Sequence, residues 1–338
     1  MMEIVLASAA FAVSLACAAV MGLAIQRGAT CTVVAVAEAL SKRRFTRLAS
    51  MIEASLWVLG GLLAARTLGV SHAMPPGYAI SLSTVLGGVL LGVGASVNRA
   101  CVFGAIARLG SGDWSYVATP VGFYAGCVAF DRLRLSPHHE LARSSPLLDA
   151  SSWMAIAFIA VLVVRLCFVL YSSADGAPFE RNLVRRLRGR IATRVWSPHT
   201  ATIVIGISFV FMLLLVGAWS YTDALAEFAR GMGRNVTARG TLFAALLAGA
   251  FAGGSTAAPS GHTRITAARA ARCFAGGALM ACGTLLIPGG NDGLILIGMP
   301  LLWPYAWVAF LTMCVSIAAA QMIENALPVR RAAQAETS

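Results

Sequence analysis

The sequence predicts an all-α polytopic membrane protein, with about nine apolar helical segments, short re-entrant or broken helices, and an internal pseudo-repeat. Three observations predict it. Of 338 residues, 58% are hydrophobic and only 12% charged, with mean hydropathy +0.78, far from the balance of a soluble chain. Apolar runs recur near the roughly 20 residues that a helix needs to cross a bilayer. The loops between them are too short to fold alone, so 1–338 reads as a single membrane domain with no soluble catalytic domain.

In chain order the apolar stretches cover 4–25, 48–66, 79–95, 114–131, 151–171, 201–219, 240–253, 273–287 and 304–323. The first is preceded by Glu3 and lacks the basic flank of a cleaved secretory signal, so it is expected to stay as a span. If all nine cross, Lys42, Arg43, Arg44 and Arg47 share one side with Arg181, Arg185, Arg186, Arg188, Arg190, Arg194, Arg330 and Arg331. Loops 67–78, 135–150, 221–235 and 288–303 on the other side hold only Arg143, Arg230 and Arg234. That asymmetry predicts an outside N-terminus and a cytoplasmic C-terminus. The net charge of +12 is thus an orientation signal in loops, and no nucleic-acid partner is expected.

The basic stretch 172–199 divides the chain into halves of about 1–171 and 200–325. Within it Phe179, Val184, Leu187, Ile191 and Val195 recur at helical spacing, which predicts contact with lipid of the cytoplasmic leaflet. The halves share a weak repeat. Gly87-Gly88-Val89-Leu90-(x)3-Gly94 matches Gly276-Gly277-Ala278-Leu279-(x)3-Gly283, and the same offset sets Gly104 against Gly293 and Cys101 against Gly290.

Three places interrupt apolar sequence with small and polar residues ahead of a short helical pattern. They are Gln26-Arg27-Gly28-Ala29-Thr30-Cys31, Ser96-Val97-Asn98-Arg99-Ala100-Cys101 and Pro288-Gly289-Gly290-Asn291-Asp292. Non-helical backbone at membrane depth is tolerated only where it is buried in protein or lines a watery cavity. Half-helices starting near Cys31, Cys101 and Asn291 would turn free N–H groups and positive dipole ends toward an anion. Arg27 and Arg99 either pair with that anion or snorkel to the interface. Asp292 either caps the following helix or takes a proton.

The eight cysteines include no C-x-x-C and no metal-ligand spacing, and His72, His138, His139, His199 and His262 are scattered, so no metal or cofactor is expected. Cys17, Cys127, Cys167 and Cys314 sit within apolar runs and read as small buried hydrophobes, as do Cys273 and Cys282 on the helix leading to Pro288. Cys31 and Cys101 differ, because each stands at a break.

The run Gly94-(x)3-Asn98-Arg99-Ala100-Cys101-Val102-Phe103-Gly104-(x)4-Leu109-Gly110-Ser111-Gly112, followed by Gly122-Phe123-(x)2-Gly126, resembles the signature of the YeeE/YedE-like sulfur-transport family. Gln26-Arg27-Gly28-(x)2-Cys31 and Gly276-Gly277-Ala278-Leu279-Met280-(x)2-Gly283 also resemble family elements, so the resemblance runs from about residue 20 to 300. It implies a bacterial inner-membrane importer of thiosulfate, or a related small sulfur anion, through a path lined by cysteines on short inward-dipping helices. A cytoplasmic sulfurtransferase is a partner of the kind such a protein would serve.

Carried over position by position, Cys31 and Cys101 match two pathway cysteines. Gln26, Asn98, Arg99, Gly104, Gly289, Gly290, Asn291 and Asp292 are the further candidates. Where the family commonly reads Gly-Gly-Cys, this chain has Gly289-Gly290-Asn291-Asp292, so the third thiol is replaced. Two other readings stand beside import. One is a membrane thiol or sulfur-transfer enzyme, against which stands the absence of C-x-x-C and of a nearby general base. The other is a non-transporting partner subunit.

Overall fold

The computed structural model describes residues 2–70, 75–133, 145, 151–171, 193, 195–231, 236–256 and 265–326. Most of the basic joining stretch (172–192 and 194) lies outside the described residues, as do Arg143, Arg234, Arg330 and Arg331. The first half holds α1 (Met2–Arg27), α2 (Thr32–Lys42), α3 (Thr46–Thr67), α4 (Leu82–Asn98), α5 (Val102–Gly110), α6 (Ala118–Arg132) and α7 (Ser152–Tyr171). Then come α8 (Pro198–Val216), α9 (Tyr221–Ala229), α10 (Val236–Thr256), α11 (Ala267–Leu286), α12 (Asn291–Gly293, running on as a π-helical turn to Gly298) and α13 (Pro304–Ala326). A long helix, a short one and a long one thus follow each other four times, with α7 left over.

Among the described residues, six stretches are long and apolar enough to cross a membrane: Ser8–Lys42, Thr46–Thr67, Leu82–Gly110, Ser152–Val169, Pro198–Val216 and Pro304–Ala326. Ala267–Leu286 with Asn291–Gly298, bent by 51°, makes a seventh. By length and composition the described residues thus give six or seven spans, and the expected count of nine is not confirmed. With 15 residues, α6 reaches only about 22 Å at 1.5 Å per residue, short of a hydrocarbon core of about 30 Å. Gly, Ala and Thr dilute the apolarity of α10 and α11, and α11 also carries Arg269 and Arg272.

Those same small residues explain the packing. In lipid the helices gain little by hiding apolar surface from one another, so close backbone contact must hold them. Helices α4 and α11 cross antiparallel on four glycines. A Cβ on Gly94 would lie 2.8 Å from the Gly276 carbonyl oxygen, and one on Gly87 equally close to that of Gly283. The partners are reciprocal, since Cβ atoms on Gly276 and Gly283 would lie 2.7 Å from the oxygens of Gly94 and Gly87. Gly22 and Gly249 bring α1 against α10 in the same way. On the rim, α7 is tied in by charge. Arg165 Nε donates to Glu53 Oε1 of α3 at 3.0 Å, and the other Glu53 oxygen meets His199 Nδ1 of α8.

The chain breaks where the sequence expects. After α1, Ala29 takes a left-handed conformation (φ 45°), and Thr30 N–H closes on Ile25 O at 3.2 Å. After α4, Arg99 does the same (φ 59°), with Ala100 N–H on Ala95 O at 3.0 Å. Gly289 at φ 149° turns the chain between α11 and α12, a conformation open to a residue without Cβ.

Candidate functional site

Each break sets an extended residue at the head of a short helix: Cys31 before α2, Cys101 before α5 and Gly290 before α12. Cys101 and Gly290, paired by the sequence offset, hold the same N-cap position. Neither cysteine makes a capping hydrogen bond to its own helix, although the amides of Val34 and Gly104 face the two sulfurs. The first N–H groups of a helix lack intrahelical partners, and here the thiols stand in front of them.

The breaks converge. Thr32 N–H, at the start of α2, donates to Cys101 Sγ at 3.2 Å, and the Cys31 and Cys101 side chains interact directly. From the other half of the chain, Asn291 Nδ2 donates to Thr32 Oγ1 at 3.4 Å. All three side chains are buried, with Cys31 5% exposed and Cys101 and Asn291 fully enclosed. Gly104 belongs to the same cluster, because a Cβ there would run into Cys31 Sγ. Its bare backbone is the room the first thiol occupies. Among the described residues the Asn291 Oδ1 has no hydrogen-bond partner.

The other candidates lie around this point. Asn98 locks the turn before Cys101: its Nδ2 donates to Ala100 O at 2.8 Å, and its Oδ1 accepts from Thr119 Oγ1 at 3.0 Å. Arg99 points to the exposed end of α4 and pairs with Glu324 at 3.3 Å. Arg27 bonds Thr256 Oγ1 at 2.9 Å and stacks over Trp196. Gln26 is buried, with Nε2 on Ser111 Oγ at 3.2 Å and Oε1 without a hydrogen-bond partner among the described residues. Gly289 lines a cavity of about 830 Å3 on the far side of α12. Gly290 makes room for Thr222 and Asp292, whose side-chain oxygens a Cβ would meet.

Asp292 itself, 2% exposed, accepts from Thr222 N–H at 3.1 Å and from the Thr222 hydroxyl. It therefore bridges α12 to the start of α9. That fourth short helix is absent from the sequence reading, and with it Thr222 and Asp223. Its signal was present in Gly217, which breaks α8 at φ 85°, and in Ser220, whose Oγ accepts from Asp223 N–H at 3.1 Å as an N-cap. The cavity is lined by Tyr78, Asp131, Asp223, Glu227, Arg230, Arg239, Gly289, Gly293 and Tyr305, among others.

The arrangement offers buried N–H, S–H and amide donors at the meeting point of three helix starts, and α12 also borders a cavity with charged residues in its lining. S–H is a weak donor suited to a soft sulfur, and backbone N–H suits an oxyanion. No curated protein matches the chain. The sulphur transport family model matches residues 27–319, and by that match over most of its length the chain belongs to the sulphur transport family.

Proposed function

We propose that this sulfur transporter imports thiosulfate, or a closely related small sulfur oxyanion, across a bacterial inner membrane along a path through Cys31, Cys101 and Asn291. The observation that carries the proposal is the hydrogen bond from Thr32 N–H to Cys101 Sγ, because it joins two broken helices at one buried point. A bare anion in hydrocarbon meets a prohibitive desolvation penalty. Thiols, helix-start amides and the Asn291 side chain supply compensating donors without a buried cation that would trap the ion. Several weak sites in sequence let an ion enter and still leave.

In this reading the two stretches α1–α6 and α8–α13 are duplicated halves, and the path runs between them where Asn291 meets Thr32. With the N-terminus outside, the orientation that the loop charges favour if all nine segments cross, the cavity at Asp223 is the outer mouth. Delivery ends at the cytoplasmic face, where a sulfurtransferase is the partner class suited to the product. Import of a dianion works against an inside-negative potential by about 2.3 kcal/mol per charge per 100 mV, roughly 4.6 kcal/mol for thiosulfate.

Growth rescue tests the substrate. In a bacterium deprived of its own sulfur importers, expression of the chain is expected to restore growth on thiosulfate and not on sulfate. Rescue by sulfate alone, or by neither, would sink the thiosulfate reading.

A further inference from the structure

Two carboxyls stand at the mouth of the path, and neither supplies a donor for an anion. Asp292 follows directly on Asn291 and is buried against Thr222. Asp223, one residue beyond Thr222, lines the outer cavity. The pair flanks the first turn of α12: a Cβ on Gly290 would lie 2.8 Å from Asp292 Oδ1, and one on Gly293 would lie 3.7 Å from Asp223 Oδ2. Among the described residues neither carboxyl has an ion-pair partner within 4 Å.

The titratable and charged groups facing them are Tyr221 and Glu227 of α9, Arg239 of α10, Tyr305 of α13 and Tyr78 from the segment before α4. Arg239 is engaged by Glu227 at 2.7 Å, so its charge is shared before it reaches the pair. Burial, and then the charge of Asp292, push the Asp223 carboxyl up to about 6. Beside Asp292, the fully enclosed Asn291 Oδ1 has no hydrogen-bond partner among the described residues.

We propose that Asp292 and Asp223 are the proton site of a proton-coupled anion importer, in which a proton from the outer cavity passes by Asp223 to Asp292 before the anion goes by. The inference rests on the import reading above. An ionised Asp292 next to the path repels an arriving anion, and a neutral one does not. Anion binding and protonation therefore favour each other, by the reciprocity that links any two coupled ligands. When the anion leaves inward the carboxyl ionises again and its proton is released to the inner water. No proton is consumed, and one proton entering with each dianion halves the charge that moves against the membrane potential.

The test uses the purified full chain in liposomes holding a trapped pH dye, with the membrane potential clamped and labelled thiosulfate outside. Addition of thiosulfate is expected to acidify the lumen, and lowering the outer pH from 7.5 to 5.5 is expected to raise initial uptake by about tenfold. Asp223→Asn is expected to retain thiosulfate exchange at equal pH, which reports a folded pathway, and to slow acidification and flatten the pH response by about tenfold. Asp292→Asn, at the residue that also bridges α12 to α9, is expected to lose both acidification and the pH response. Wild-type uptake without acidification, or full coupling in both variants, overturns the proton site and leaves import standing. Wild-type vesicles that neither take up nor exchange thiosulfate, sulfite or sulfate overturn the import reading, and the proton site with it.

Discussion

Cys101 occupies a position where helices usually place Ser, Thr, Asp or Asn, whose oxygen bonds the first free amides. Here a sulfur receives an amide from another helix instead, Thr32 N–H at 3.2 Å, and that exchange fixes α2 against α5. Gly104 is the residue that permits it. Gly104→Ala is expected to push Cys31 off its site at a cost of about 1–3 kcal/mol for overpacking, with thiosulfate uptake lost while the protein still elutes as a single species. Full uptake by that variant would show that Cys31 can move without consequence.

Asp223 gives a pH signature at the same scale. Its carboxyl is held at about 6 against an ordinary 3.8, chiefly by burial, so the folded chain binds this proton more tightly than the unfolded chain. The resulting stability is fully present below about 3.8 and is lost as pH rises toward 6. Asp223→Asn is therefore expected to raise the melting temperature in detergent at pH 7.5 and to leave it unchanged at pH 3.5. A variant that is less stable at pH 7.5 would show that the carboxylate is satisfied in the fold.

The short helices were partly legible in the sequence. Gly, Thr, Asn and Arg interrupting long apolar runs marked the heads of α2 and α5, and Gly289-Gly290 marked that of α12. The head of α9 went unmarked because a single Gly and a Ser follow an apolar run without a charged or Asn-bearing interruption. The functional partners were less legible still. Thr32 meets residues 69 and 259 positions away, and no local pattern announces such contacts. Small residues were legible as helix contacts, and the glycines and alanines that let α10 and α11 pack closely also lower their apolarity. At the α4–α11 crossing this closeness is strict: a Cβ on Gly276 would lie 2.6 Å from Asn98 Cβ and 2.7 Å from the Gly94 oxygen. Gly276→Leu is expected to cost more than about 3 kcal/mol and to abolish the monodisperse peak in size-exclusion chromatography. A well-behaved protein would mean that this seam is not what holds α4 and α11 together.

For the whole molecule, four long–short–long units are drawn together by glycine contacts so that broken helices start inside the protein. The starts of α2 and α5 meet through Thr32 and Cys101, and those of α9 and α12 through Thr222 and Asp292. Asn291 on Thr32 joins the two pairs. One pair presents thiols and the other a carboxyl and a hydroxyl, so the proposed route is asymmetric in chemistry along its length.

That route is tested most directly by uptake of labelled thiosulfate into liposomes containing wild-type protein, Cys31→Ala or Cys101→Ala. A hydrogen bond to an ion is worth about 1.5–3 kcal/mol, so each variant is expected to take up thiosulfate about 10- to 100-fold more slowly than wild type. Wild-type rates in both alanine variants would contradict a passage through the paired thiols.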